Sequence, residues 1–196
     1  MLPQLKTYLN SIYPISGDAW QHIHPLFTPA VLKKGENFIS EGQTARTMAF
    51  LQSGVVRAFY RNLQGIEYNK HFFTPNCFIG GYSSLITGRP NTIIQQALTD
   101  CEIYTASYTA FTALYDQHPD LERAARRLAE YYFADKEHRE IELVLLDAGQ
   151  RYKLFKKQHP GLDQLIPQYH IASYLGVTPT QLSRIRKKLS AANLCT

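Results

Sequence analysis

The chain has 196 residues and a formal net charge of +5, enough length for one good core, or for a sensor-sized domain of about 150 residues with a small appendage. No apolar run approaches the roughly 20 residues of a membrane span, and the N-terminus lacks the charged-then-apolar pattern of a signal peptide, so a cytoplasmic location is expected. Cys77, Cys101 and Cys195 are odd in number and widely spaced, which argues against a disulfide framework and against a clustered zinc or iron–sulfur site; they read as buried or idle thiols.

Leu2, Leu5, Leu9 and Ile12 recur at helical spacing and predict a short amphipathic helix ending near Tyr13 and Pro14. Ser16, Gly17 and Asp18 cap a second helix carrying Trp20 and Ile23. From Phe27 the period changes. Thr28 to Leu32, Asn37 to Ser40, Met48 to Gln52, Val55 to Asn62, Ile66 to Phe73, Asn91 to Ala97 and Glu102 to Ser107 are short segments rich in β-branched and aromatic residues. Turn formers divide them, among them Gly35, Gly42, Ser53-Gly54, Gln64-Gly65, Pro75-Asn76 and Gly88 to Pro90. So many short strands imply an antiparallel barrel or sandwich. Helical spacing returns from Ser107 to Gln117, with Phe111 and Leu114 on one side.

The longest regular element is predicted from Asp120 to about Leu146. Leu121, Ala124, Leu128, Tyr131, Ala134, His138, Ile141 and Leu145 step by three or four, so one stripe runs its whole length. Glu122 with Arg126 and Asp135 with Arg139 form acid-then-base pairs four apart. Such a helix, about 40 Å at 1.5 Å per residue, outruns a domain of this size. The stripe is therefore expected to pair with a second copy as a parallel dimer seam; a core helix lying along the barrel would explain its first half equally well. Asp147, Ala148 and Gly149 read as a hinge, followed by a short basic helix, Gln150 to Gln158.

Ile166 to Leu189 then reads as two short helices joined by a tight turn. Pro167 suits a first helical turn, Ile171, Ala172 and Leu175 share one face, and Gly176 ends the helix. Thr178 is a good N-cap and Pro179 a good first residue for the second helix, in which Leu182, Ile185 and Leu189 repeat. This is the helix-turn-helix pattern. Thr180, Gln181, Ser183, Arg184, Arg186, Lys187 and Lys188 are expected on its exposed face, hydrogen-bonding groups first and cations after. Between Arg151 and Ser190 eight Lys or Arg stand against one acid, Asp163, so that segment is +7 and the remainder −2. A near-neutral body with a basic tail suggests a polyanion partner for the tail alone.

Roll, long helix, hinge and helix-turn-helix, in that order, resemble the cyclic-AMP receptor/fumarate-nitrate-reduction regulator (Crp/Fnr) superfamily of bacterial transcription factors, over about residues 20 to 195. The resemblance is carried by Ser53-Gly54 with Val55 to Arg57, by Phe78 to Gly80, by Asp100 to Glu102, and most specifically by Ile171-Ala172 through Arg184-Ile185. It implies an α+β chain: an N-terminal β-roll with its helices over 1–118, a dimerisation helix over 119–146 and a helix-turn-helix domain over 147–196. It also implies a homodimer on palindromic double-stranded DNA, an effector in the roll biasing how the reading heads are held, and no enzyme activity; a contact with RNA polymerase is left open. The chain stops at Thr196, which leaves no residues for the β-hairpin wing that usually follows the reader.

The departures are informative. Members that bind cyclic nucleotides follow Phe-x-Gly with a Glu for the ribose, where Gly81 stands here, and hold the cyclic phosphate with an Arg-Ser or Arg-Thr pair, where Asn91-Thr92 stands. A buried phosphate without its guanidinium loses a charge-assisted interaction, so cyclic AMP is not expected to bind; the alternative is that Arg89, two residues away, swings in to supply the cation. With no Cys before Cys77, an iron–sulfur cluster is not expected either, and no cofactor or metal is assigned. A haem or small organic effector stays open, with Tyr60, Tyr68, His71, Phe72, Phe73 and Tyr82 as alternatives to plain core. The pocket, if used, is expected at Tyr68, Phe78, Gly80, Gly81, Tyr82, Ser83, Asn91 and Thr92.

In the reader, the family's leading Arg and Glu are replaced by Pro179 and Thr180, while Arg184 matches its later Arg. Arg184 is expected to be bidentate to guanine and Gln181 to read adenine. Thr178, Ser183, Lys187 and Lys188 are expected on phosphates, with a pure capping role as the alternative for Thr178. The Arg151 to Lys157 helix would compensate for the missing wing. Two other classes compete: a sensor or partner-binding module with a degenerate reader, and a cupin-like metalloenzyme suggested by His22-Ile23-His24, whose imidazoles would lie on one side of an extended segment.

Overall fold

The structure, a computed structural model, describes residues 2–193. In chain order the elements are α1 (Pro3–Ile12), α2 (Gly17–Ile23), a 3-10 turn (His24–Leu26), β1 (Thr28–Leu32), β2 (Asn37–Ile39), β3 (Thr47–Ser53), β4 (Val56–Arg61), β5 (Glu67–Phe73), β6 (Cys77–Ile79), α3 (Tyr82–Thr87), β7 (Ile94–Ala97), β8 (Cys101–Ser107), α4 (Tyr108–Thr112), α5 (Pro119–Leu145), α6 (Ala148–Gln158), α7 (Leu162–Leu165), α8 (Gln168–Leu175) and α9 (Pro179–Asn193). Cys195 lies outside the described residues. Two compact units result. The first comprises the chain up to Tyr60 together with His71–Phe133; the second comprises Arg61–Lys70 and the chain from Ala134 onward.

The first unit is an antiparallel roll of two four-stranded sheets, ordered β1-β8-β3-β6 and β2-β7-β4-β5. One face of β1, β3 and β8 packs with β6, β7 and β4 around Leu32, Ala49, Leu51, Val56, Ile79, Ala97, Cys101 and Ile103. The opposite face of β3 carries Met48 and Phe50 into a second cluster with Leu5, Leu9, Ala19, Ile23, Phe27, Phe111, Leu121 and Ala124, as alternation along a strand requires. The Ser53-Gly54 turn has a steric cause: Gly54 has φ +92°, and a Cβ there would stand 2.5 Å from both the Asp100 carbonyl and the Cys101 sulfur. No other residue fits.

Several expectations are revised. The short strand β6 and the helix α3 are additions to the expected elements; three and six residues are too few to show a period. The strand expected from Asn91 begins only at Ile94; the Asn91 backbone is taken by the Gly42–Gln43 turn, its N–H donating to Gln43 O and its carbonyl accepting from Gly42 N–H. Helix α4 lasts five residues instead of running to Gln117. Pro167 precedes α8 as its N-cap instead of occupying its first turn.

In α5, the first half of the predicted stripe is core: Leu121 and Ala124 are fully buried and Leu128 is half-buried. From Tyr131 on the stripe is exposed except at half-buried Ala134, with Tyr131 at 64%, Ile141 at 54% and Leu145 at 73%, and His138 outward as well. The expected three-residue hinge is also tighter than predicted. Ala148 and Gly149 are helical, and Asp147 caps α6 through a reciprocal pair with Gln150, which satisfies the first amides of the helix.

Candidate nucleic-acid interface

The second unit builds the reader from a small apolar centre. Ile171, Ala172 and Leu175 of α8 and Leu182 of α9 are all at most 1% exposed, and Tyr152 and Phe155 of α6 with Leu162 and Ile166 close the remaining side. Gly176 ends α8 in the left-handed region, with φ 68° and ψ 34°, its N–H reaching Ala172 O and Ser173 O. That conformation is easy for glycine and sets the sharp turn into α9.

At the head of α9, Thr178 Oγ1 accepts from the Gln181 N–H at 3.2 Å while Gln181 Oε1 accepts from the Thr178 N–H at 2.8 Å and from its hydroxyl at 3.2 Å. Thr178 is thus a cap, the alternative to its phosphate role. For Gln181 the expectation changes: a bidentate contact to adenine needs the amide oxygen, which this capping box already uses. Thr180, Ser183, Arg184, Lys187 and Lys188 are exposed together on the helix. Arg186 is not among them. It is half-buried and lines an open cleft of about 440 Å³ with Tyr152, Lys153, Lys156 and Asp163. Burial pushes the Tyr152 phenol above its ordinary value, with the nearby Arg186 charge opposing.

Arg151, expected to help on DNA phosphates, is committed elsewhere. Its guanidinium donates to Leu175 O at 3.1 Å, to Leu143 O at 3.4 Å and to Leu146 O, satisfying carbonyls that helix ends leave without partners. Lys153, Lys156 and Lys157 of α6 are exposed. Arg139 plays a similar part: it pairs with Glu142 at 2.9 Å, donates to the Tyr174 carbonyl and lies 3.9 Å over the Tyr174 ring. The end of α5, α6 and α8 are therefore joined by cation-to-carbonyl bonds that sequence spacing does not reveal.

The hairpin tip 61–70 belongs to the same unit. The Ser173 hydroxyl accepts from the Asn69 N–H at 3.0 Å and donates to Glu67 O at 2.9 Å, while Asn69 Nδ2 donates to His170 O at 3.1 Å. Asn69 and His170 are buried. Tyr68, expected in the effector pocket, lies on this tip and is 40% exposed.

In the first unit, the other expected pocket residues fall into three groups. Phe78 faces the aromatic core, edge-on to Tyr8 at 5.8 Å and to Phe50 at 5.7 Å, so it packs instead of lining a pocket. Tyr82, Ser83 and Thr92 are exposed. Gly80, Gly81 and Asn91 do come together, but the space among them is filled. A Cβ on Gly81 would stand 2.9 Å from Ile39 Cδ1 and 3.0 Å from Asn91 Oδ1. Asn91 is buried and donates to Ser40 O and Ile93 O, Gln95 Nε2 donates to Gly80 O at 2.8 Å, and the Ser84 hydroxyl joins the Ala45 N–H to the Arg89 carbonyl. Arg89 itself is exposed.

His22 and His24 do not form the expected pair. They lie in α2 and the turn after it, not in an extended segment, and two residues along a helix point to nearly opposite sides; the His24 ring rests against Trp20 at 5.9 Å. Among the described residues, Asp18, His22 and His118 do bring their ligand atoms within 4.8 Å of one another.

A β-roll, a long helix and a helix-turn-helix are the parts expected of a one-chain DNA-binding transcription regulator. The comparisons agree. Residues 29–118 match the cyclic nucleotide-binding domain family. The chain is 26% identical over 186 residues to the cAMP-activated global transcriptional regulator CRP of Salmonella typhimurium, covering 88% of this chain and 84% of that one. Among solved structures it is similar to FixK2 from Bradyrhizobium japonicum, with a TM-score of 0.72 at 18% identity over 85% of this chain and 86% of that one. It is likewise similar to the c-di-GMP responsive global regulator CLP of Xanthomonas campestris, with a TM-score of 0.67 at 19% identity over 91% and 94%. Over most of its length the chain is thus similar to transcription regulators of this kind. Among the described residues no helix is long and apolar enough to cross a membrane.

Proposed function

We propose that this chain is a homodimeric, sequence-specific DNA-binding transcription regulator of the cytoplasm whose roll does not take cyclic AMP. The observation that carries the reading is α9: a capped helix with Thr180, Ser183, Arg184, Lys187 and Lys188 exposed on it and Leu182 fully buried. Arg184 reads guanine, and the lysines hold phosphates on either side of the groove. The exposed apolar half of α5 supports the dimer, since Tyr131, Ile141 and Leu145 would be covered by the same residues of a second copy, and pairs of heads match a two-fold-symmetric site.

Two observations support the negative part. Gly81, at the position of the ribose-binding Glu, is closely packed, and a side chain there would have to displace Ile39 and crowd Asn91 Oδ1. Asn91, at the position of the phosphate-binding Arg, is turned into backbone carbonyls. The relatives named as cAMP-activated are similar to this chain over most of its length, and the inward hydrogen bonds of Asn91 support the reading that this roll has lost that ligand.

Selection of random duplexes by the purified, effector-free protein, repeated with Arg184→Ala, tests the reading. A palindromic motif that loses about 1–3 kcal/mol of discrimination at one base pair per half-site in Arg184→Ala is expected. Absence of any motif at moderate salt, with or without cyclic AMP, would sink it in favour of a module with a degenerate reader.

A further inference from the structure

We infer that Asp18, His22 and His118 form a binding site for one divalent transition-metal ion of the zinc class, in the first unit and independent of the DNA reader. Asp18 and His22 stand four apart on α2 and so share a face. His118 comes from the turn ahead of α5, where its carbonyl accepts from the Leu121 and Glu122 amides. The His22 and His118 rings lie 5.0 Å apart at 32°.

The proton positions favour a metal. His22 Nδ1 lies 3.0 Å from the Asp18 backbone carbonyl; a carbonyl can only accept, so Nδ1 is the donor and Nε2 is the nitrogen left for a metal in the neutral ring. Metal-binding histidines are oriented in this way, by donating the second ring N–H to a carbonyl. His118 is 5% exposed, with Nε2 buried and without a hydrogen-bond partner among the described residues; the nitrogen that faces the cluster is the other one. His118 Nδ1 faces Asp18 Oδ2 at 3.6 Å, beyond ordinary hydrogen-bond reach.

Two imidazoles and one carboxylate select zinc, nickel, cobalt or copper over magnesium and calcium, which take oxygen ligands. Tetrahedral bonds of about 2.0 Å put ligand atoms roughly 3.3 Å apart. The present 4.8 Å span closes by rotation of Asp18 and His22, which are exposed, while His118 stays fixed; water completes the shell. The ion would staple α2 to the start of α5, beside a bond that already joins them, from the Ser16 N–H to Asp120 Oδ2 at 2.6 Å. The alternative is a plain Asp18–His118 ion pair in which His22 has no part.

Calorimetric titration of the full, chelator-treated protein with Zn²⁺ separates the two. One equivalent per chain is expected, with a rise in Tm on saturation, because a ligand that binds only the folded state stabilises it. His22→Gln and Asp18→Asn should each weaken binding at least about tenfold, whereas His24→Gln should leave it unchanged. Both test positions are exposed, so folding is not at stake, and circular dichroism of each variant verifies this. No saturable binding, or binding undiminished in His22→Gln, overturns the assignment.

Discussion

The neighbourhood of Gly81 and Asn91 in the roll and the outer face of α9 treat the same polar chemistry in opposite ways. Around Gly81 and Asn91, the Asn91 and Ser84 side chains and the Gln95 amide nitrogen are turned inward onto the backbone of neighbouring turns, and Ile39 and Ala45 pack close against Gly81. On α9 the polar groups are left facing outward, and the inward-turned ones are confined to the cap, Thr178 and Gln181. A buried amide costs too much unless it is satisfied, and once satisfied by its own chain it has nothing to offer a ligand. Exposed cations keep their capacity for a partner, which is why the proposed interface falls on α9 and not in the roll.

The sharpest way to break that contrast is to remove the packing beneath the interface. Leu182→Ala, at a site 1% exposed, should cost about 2–5 kcal/mol in urea unfolding and abolish DNA binding along with the fold of the second unit. Next in size is a methyl group in the filled pocket. Gly81→Ala should cost about 1–3 kcal/mol through overpacking, read as a fall in Tm, with no gain in cyclic AMP binding; if the variant is as stable as its parent, the pocket is not filled. At the interface, Lys188→Ala should leave Tm unchanged and lower the slope of log K against log salt by about 0.9, one phosphate contact.

The smallest effect concerns His159, whose imidazole burial holds below its ordinary value as it packs against Phe155 at 5.2 Å. The fold therefore favours the neutral ring: its stabilisation is fully present above the unfolded pKa of about 6.5 and is lost as pH falls through the lower folded value. Tm measured from about pH 7 down to about pH 5 should fall less steeply in His159→Gln than in the parent chain.

The elements with long or regular periods were legible beforehand: α5 from its stripe, α8 and α9 from Ile171, Leu175, Leu182 and the glycine and proline between them, and β1 to its ends. What escaped depends on contacts between residues far apart in the chain. Phe78 looked like a pocket residue until Tyr8 and Phe50 were seen around it, and Arg151 looked like a phosphate ligand until three carbonyls claimed it. His118 gave no signal, because its companions Asp18 and His22 lie about a hundred residues earlier. Spacing reports which residues share a face; it does not report which faces meet.

The Ser173 hydroxyl has one more consequence. β5 is the last strand of its sheet, and the Asn69 N–H and Glu67 carbonyl that Ser173 engages point the same way, as the paired groups of a strand awaiting a neighbour do. A single side chain of α8 thus stands in for the missing strand. Unprotected edges recruit strands from other molecules, so Ser173→Ala should leave the hairpin tip prone to self-association on prolonged incubation. The hydroxyl is, in that sense, a guard against polymerisation.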